Sequence, residues 1–540
     1  MQETNSHRWI WPLLAGILLA SFFINVLVIA HDEVPDIYDT LNMEVRGKLL
    51  TYGLLGDREA LDRSLQYTID IDYPLVFHFI TLPVRLVAGD RVRAGAVTVA
   101  ALSTLLLLVV FWLGRFLVDE RVGLLAALLL AVTPGIYRFS RMEMLDIPLA
   151  LIVAAVMLAM LYSGGLAVRR WSILFGLGCG LGLMVKQSFP FYVILPLTYV
   201  FVRGLLKEGP AKRRQRLLNG LMAAVIVTVV GVVFYLPHLL ESLESRMAIL
   251  SFTAQKVEVG SLDFFRLVMR YGLGPVLAVL VVAALAVLPK GDTRYRFLTL
   301  WFLAPLIFMP ALFGYATTRY LLPVLPAAAL LIAWALVQFQ VAYRQRKVKL
   351  VAGALIVVMA VGFMAYDHLR VDRTAFSFAD FHRRLQLEGI ARPRRLGWSV
   401  DPMINRMIDK QWPNKRVLLL FDTPYAAVIK SRIIMQNPKV DVLNLIERIS
   451  VGQTTDEAWR SEAGLRESML SADYIVFKTG YERDHKIVVY ALNTEEELVR
   501  RAISVFYSVK DKFELIDSYA YPEDTEPVYL YRRVTGDEPG

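Results

Sequence analysis

The residues able to do chemistry in this chain stand where apolar runs end. Residues 9–30 carry no charge, and His31, Asp32 and Glu33 follow at once, with Asp36 and Asp39 close behind. Ionised carboxylates at the rim of a hydrocarbon layer are expensive to desolvate, so they occur where a water-filled cavity or a charged ligand compensates them. In a partly dehydrated pocket such a group can take the proton of a hydroxyl as a new bond forms. Asp36 and Asp39 also have the spacing of a helix N-cap. Asp32 and Glu33 precede that cap and abut the apolar run, which makes them the catalytic candidates.

A second constellation is YRFSRMEMLDIPL, residues 137–149. Asp146 lies two residues before Pro148 at a helix start, where an aspartate can serve as an N-cap or sit favourably in the helix dipole. Arg138, Arg141 and Glu143 bring two cations and a carboxylate within a few residues of it. That mixture suits a site that holds a phosphate while polarising an acceptor. Lys186 occupies the polar break KQS between two apolar segments, and Arg319 precedes the run YLLPVLP. Each reads either as an interface anchor or as the cation that stabilises a departing lipid phosphate. His31, His78 and His238 match no metal-ligand spacing.

These residues need a membrane scaffold, and the composition supplies one. The chain has 540 residues, 56% of them hydrophobic, with a mean hydropathy of +0.48. The apolar content is concentrated before residue 366, as in a polytopic membrane protein with a polar tail. Spans are expected near 9–30, 94–116, 121–134, 146–163, 171–185, 189–203, 217–237, 271–288, 297–313, 319–341 and 350–366, about eleven in all. The first is too long for a removable signal peptide and reads as a permanent helix. The single cysteine, Cys179, lies in an apolar stretch and forms neither an internal disulfide nor a metal site. The net charge is +10, but the basic residues fall in alternate short loops such as KEGPAKRRQR (207–216) and YRQRKVK (343–349). That is the positive-inside pattern, and it argues against nucleic acid as a partner.

On this topology the acidic candidates share the extracytoplasmic face. In the first outer loop, Tyr38, Leu41, Val45, Leu49 and Tyr52 recur at helical spacing, predicting an amphipathic helix lying on the membrane surface. Residues 74–88 are apolar, short and interrupted by proline, and predict an interfacial or re-entrant segment. From residue 375 to 540 the chain becomes charged, with strands expected at 416–421, 440–445, 474–478, 512–520 and 527–534 and helices near 455–470 and 493–507. The expected fold is thus an α-helical polytopic membrane domain, residues 1–370, with a C-terminal extracytoplasmic α/β domain, residues 375–540.

Taken in order, these residues resemble the GT-C superfamily of membrane glycosyltransferases, in particular the protein O-mannosyltransferase and aminoarabinose-transferase type. The Asp-Glu pair after the first span is matched by Asp32 and Glu33, and the aromatic residue early in the following surface helix by Tyr38. The serine-arginine pair with a later aspartate is matched by Ser140, Arg141 and Asp146, and the late arginine-tyrosine with prolines by Arg319, Tyr320, Pro323 and Pro326. The family's Lys-Pro-Pro-Leu-like motif has only Asp72, Tyr73, Pro74 and Leu75 as its counterpart, without the lysine. Asp32 is preferred over Asp36 for the base position.

The resemblance implies transfer of a sugar from a polyprenyl-phosphate donor to an acceptor hydroxyl or phosphate on the outer face, with inversion. The acceptor would be a lipid, a glycan or a protein. Asp32 would be base or acceptor-orienting group, with Glu33 and Asp146 shaping the site. Arg138, Arg141, Lys186, Arg319, Tyr320 and Tyr38 would bind substrate, and a divalent ion, if one is used, would rest on Asp32 and Asp146. A bacterial inner membrane with the tail in the periplasm is the implied location. A secondary transporter is the alternative, and it would place charges near the bilayer midplane in paired inverted halves.

Overall fold

The computed structural model describes residues 9–32, 39–71, 75–89, 93–235, 268–313, 318–342, 400–407, 415–420, 440–444, 461–478, 496–519 and 527–534, with a few isolated positions between them. The chain divides into two compact units. One comprises Met1–His31, Gly53–Val371 and Arg384–Pro393, and the other Asp32–Tyr52, Asp372–Arg383 and Arg394–Gly540. The segment Asp32–Tyr52 thus falls in the second unit.

The first unit is helical. It opens with α1 (Ile10–His31), whose 22 residues lack any Asp, Glu, Lys or Arg. At 1.5 Å per residue such a helix is about 33 Å long, enough to cross a hydrocarbon core. Its large apolar side chains, Leu13, Leu19, Phe23 and Leu27, are exposed, while the polar Asn25 is buried. The next helices lying wholly in this unit are α3 (Arg58–Ile71) and α4 (Val76–Ala88). The α4 helix has the same inside-out character, with His78, Thr81 and Arg85 buried and Phe79, Ile80, Leu86 and Val87 exposed. It is the segment expected to be interfacial, and Pro83 lies within it.

A hairpin follows, formed by α5 (Ala94–Leu117) and α6 (Glu120–Ala131). Asp119 caps α6 by accepting from the Val122 amide at 2.8 Å. The two helices cross so closely that a Cβ on Gly114 would lie 2.5 Å from the Gly123 Cα. Small residues permit such approach between membrane helices. The span expected at 121–134 is instead α6 followed by the short α7 (Pro134–Phe139), because Pro134 opens a new helix. Then come α8 (Asp146–Tyr162), α9 (Arg169–Val185), α10 (Phe189–Lys207) and α11 (Pro210–Tyr235). After a π-helical turn, Val268–Leu273, the unit continues with α12 (Pro275–Val287), α13 (Thr293–Phe313), a 3-10 turn at Thr318–Val324, and α14 (Leu325–Ala342).

Among the described residues, five helical segments are long and apolar enough to cross a membrane: Ile10–His31, Ala94–Leu117, Phe189–Lys207, Pro210–Val232 and Thr318–Phe339. Val76–Ala88, Asp146–Tyr162 and Pro275–Val287 are apolar but shorter. The expected span at 350–366 lies, apart from isolated positions, outside the described residues.

In the second unit, α2 (Asp39–Leu54) is the helix expected in the first outer loop. Residues 43–50 are buried without interruption, including Glu44, Arg46 and Lys48. The helix is thus enclosed on every side over two turns, not half solvated as its pattern of interleaved polar residues suggested. The tail contributes α15 (Asp401–Met407), β1 (Arg416–Leu420), β2 (Asp441–Asn444), α16 (Glu462–Leu470), β3 (Tyr474–Lys478), α17 (Glu496–Val509), β4 (Phe513–Tyr519) and β5 (Val528–Arg533). All five expected strands form one sheet in the order β2-β1-β3-β5-β4. β1 pairs in parallel with β2 and β3, and β5 runs antiparallel to both β3 and β4. Leu418, Leu420, Ile475 and Phe477 form a core with Leu465 and Met469 of α16 and Phe506 of α17. Val417, Leu419 and Val476 on the opposite face are buried too, as the unbroken apolar run of a central strand requires.

Candidate active site

The loop between α7 and α8 carries the site. Every residue from 132 to 150 is buried, polar and charged ones included. Asp146 is the first residue of α8, and the N-cap position belongs to Leu145, which makes no side-chain cap. The sequence alternative in which Asp146 caps the helix is therefore replaced by another partner: Lys186 Nζ stands 2.6 Å from Asp146 Oδ1. The two side chains are 11% and 3% exposed. A buried pair of this kind is costly to desolvate, and removing one partner strands a charge.

Lys186 reaches Asp146 because α9 stops at Val185. Lys186 takes an extended backbone (φ −158°, ψ 133°), and α10 begins at Phe189 with Pro190 in its first turn. The polar break KQS is thus the gap between two helices, and it aims the ammonium inward. The Lys186 ammonium also lies 4.5 Å from the centre of the Tyr320 ring. The Tyr192 hydroxyl of α10 donates to the Tyr320 carbonyl, fixing the 3-10 turn from below. Arg319, buried beside Tyr320, places its guanidinium 5.2 Å from that ring and 3.9 Å from the Met144 sulfur. Asp146, Lys186, Arg319 and Tyr320, expected from separate segments, are therefore one cluster.

Arg141 is wholly buried. It donates from Nε to Asn25 Oδ1 of α1 at 2.9 Å and lies 5.1 Å from the Tyr137 ring, with Arg138 5.9 Å from the same ring. Below it an apolar groove of about 350 Å³ runs between α1 and α6, from Pro12 to Asn25 on one wall and along Leu128 and Ala131 on the other, and ends on Tyr137 and Arg141. Glu143 pairs with Arg85 of α4 at 2.5 Å.

Asp32 follows directly on α1, is half-buried, and belongs to the second unit. Glu33, Asp36 and Tyr38 lie outside the described residues, as does His238. Sequence reasoning passed over Asn25, Arg85 and Tyr192. Asn25 and Tyr192 are single polar groups inside apolar runs, where the only signal is that a lone polar residue in a span needs a partner. Among the described residues no three His, Cys, Asp or Glu gather in a way that could hold a metal.

Residues 71–253, which include α4 and the whole loop from Tyr137 to Asp146, match the family model described as dolichyl-phosphate-mannose-protein mannosyltransferase. By sequence alone no curated protein matches. Among solved structures, the chain is similar to ArnT from Cupriavidus metallidurans bound to undecaprenyl phosphate, with 13% identity and a TM-score of 0.53 over 99% of this chain and 100% of that one. It is similar to the archaeal oligosaccharyltransferase AglB from Archaeoglobus fulgidus, with 12% identity and a TM-score of 0.51 over 99% of this chain and 75% of that one. It is also similar to the arabinofuranosyltransferase AftD from mycobacteria, at 15% identity and a TM-score of 0.52, covering 99% of this chain but 40% of that one. The resemblance carried by the ordered motifs is borne out: this chain has the fold of the GT-C membrane glycosyltransferases.

Proposed function

We propose that the chain transfers a sugar from a polyprenyl-phosphate-linked donor to an acceptor hydroxyl or phosphate on the outer face of a membrane. The observation that carries this reading is the cluster of buried Asp146, Lys186 and Arg319 around the half-buried Tyr320 on a GT-C fold. The acceptor oxygen bonds to the anomeric carbon with inversion, and its proton passes to Asp32. The bond from that carbon to the phosphate oxygen breaks, and its electron pair leaves on the lipid phosphate. Cations held in a dehydrated site stabilise that negative charge far better than water does at a membrane rim. Lys186, Arg319, Arg138 and Arg141 are those cations, Tyr38 and Tyr320 contact substrate, and Glu33 and Asp146 shape the site. The apolar groove ending on Arg141 suits the hydrocarbon chain of such a donor.

The wider topology belongs to the same proposal: eleven spans in a bacterial inner membrane, with residues 375–540 in the periplasm. The charged site residues of the first unit sit at helix ends, Asp146 opening α8 and Lys186 following α9. That placement favours an enzyme at the membrane rim over a transporter with charges at mid-span. Asp146 already has an ammonium as counter-ion, so transfer is expected to survive chelation. Loss of activity in EDTA would instead place a divalent ion on Asp32 and Asp146.

The test is one experiment on cells carrying a Ser450→Cys reporter. Asp32→Asn should abolish sugar transfer from polyprenyl-phosphate donors while the protein is still made and folded. Full activity in that variant removes Asp32 as the base. In the same cells an impermeant thiol reagent should label residue 450 from outside, and labelling only after lysis reverses the orientation.

A further inference from the structure

Glu143 is held on two flanks. Arg85 of α4 donates from Nη2 to its Oε1 at 2.5 Å, with the side chains 5% and 0% exposed. Arg85 is itself steadied through Nε by the Thr81 hydroxyl at 3.3 Å, and Thr81 donates to the His78 carbonyl at 2.9 Å. On the other flank α5 leaves room for the carboxylate. A Cβ on Gly95 would stand 1.8 Å from Glu143 Oε2 and 1.9 Å from its carboxyl carbon, so no other residue fits there without displacing the group. Asp146 lies only three residues further on, and it is tied in turn to Lys186. The stretch between these two anchors is thus tied at both ends.

We propose that Arg85, Glu143 and Gly95 form a positioning latch that sets where Asp146 and its loop stand, so that α4 governs turnover without touching substrate. The proposal rests on the glycosyl-transfer reading of the site. Without Arg85 the buried carboxylate loses the guanidinium 2.5 Å from it, which favours taking up a proton or moving toward water. A methyl group at residue 95 displaces the same carboxylate while both charges remain. Two chemically unrelated changes should therefore give one phenotype.

The test uses the purified full-length protein with Met142→Cys as a reporter. Met142 is 1% exposed beside Glu143, and the native thiol Cys179 is buried. Maleimide labelling of residue 142 should be slow in the parent and in Arg85→Lys. It should be about tenfold faster in Arg85→Met and in Gly95→Ala, where local opening is easier. Displacing site groups by about 1 Å can cost about 100-fold in rate, so kcat should fall by that order in the same two variants. Donor KM should change little, and Arg85→Lys should recover most of the activity. The latch is overturned if labelling or kcat stays at the parent value in both Arg85→Met and Gly95→Ala. If the wild type transfers no sugar from any polyprenyl-phosphate donor, the functional reading fails, and the labelling rates alone decide whether Arg85 and Gly95 hold the loop.

Discussion

The two ends of α8 handle the same residue types in opposite ways. At the Asp146 end, carboxylates and cations are sealed from solvent: Asp146–Lys186 is 3% and 11% exposed, and Glu143–Arg85 is 0% and 5% exposed. At the other end, near the rings of Phe116 and Tyr162, the pairs are wetter. Arg115–Glu120 is 38% and 23% exposed and Arg294–Asp292 43% and 20%. There the cations tie turns together. Arg294 donates to the Leu117 carbonyl at 3.1 Å, and Arg216 to those of Gly164 and Gly165. Solvated pairs contribute little and can be exchanged, while breaking a sealed one leaves a buried charge uncompensated. Arg216 is buried too, yet it serves turn carbonyls, so it is burial of both members of an opposite-charge pair that marks the candidate chemistry.

Three substitutions test that contrast. The largest effect is expected for Lys186→Met, which leaves the Asp146 carboxylate buried without its ammonium. Breaking such a pair costs about 3–5 kcal/mol, so both sugar transfer and the melting temperature should collapse. A variant that melts normally would show the pair to be more solvated than its geometry implies.

Arg216→Gln should be intermediate. Gly164, Gly165 and Leu166 all have positive φ (60°, 71° and 72°), a strained run for Leu166 that Arg216 and Asn219 hold through its carbonyls. Losing donors to buried carbonyls costs about 1–3 kcal/mol, so calorimetry should detect destabilisation while kcat is retained. This change has a pH signature as well. The hydrogen bond from Arg216 holds the Glu208 carboxyl below its ordinary value. Its contribution is therefore present above the ordinary carboxylate range and lost as pH falls through the lowered pKa. That part of the acid dependence should vanish in the variant.

Arg115→Ala should matter least. Its pair with Glu120 is half solvated, and its guanidinium lies 4.8 Å from the Trp112 ring. A loss of about 0.5–1 kcal/mol with unchanged transfer is expected. A larger loss of activity would mean that this end also serves the reaction.

How much of this was legible in the sequence depends on what each residue stands against. Asp146, Lys186 and Arg319 were visible because a charge at the edge of an apolar run contrasts with its neighbours. The tail strands were visible because RVLLL and YIVFK are short apolar runs between polar segments, which only a buried strand or helix explains. The α2 helix was legible as a helix but not in its burial, since interleaved polar residues look solvated until something encloses them. Pairings such as Arg85 with Glu143 and Arg141 with Asn25 were not legible at all. They join positions 58 and 116 residues apart, and nothing local records them.

Those separations have a consequence for how the protein is made. At about 5–20 residues per second of synthesis, Arg85 waits about 3–12 s for Glu143 to emerge. Tyr192 waits longer still, about 6–26 s, for the Tyr320 carbonyl 128 residues later. During that interval Arg85 of α4 stands without Glu143, and the Asp146–Lys186 pair, formed earlier, lacks the Tyr320 ring. A ribosome stalled before residue 318 would thus hold a chain in which both ion pairs can form while Arg319 and Tyr320 are still missing from the cluster.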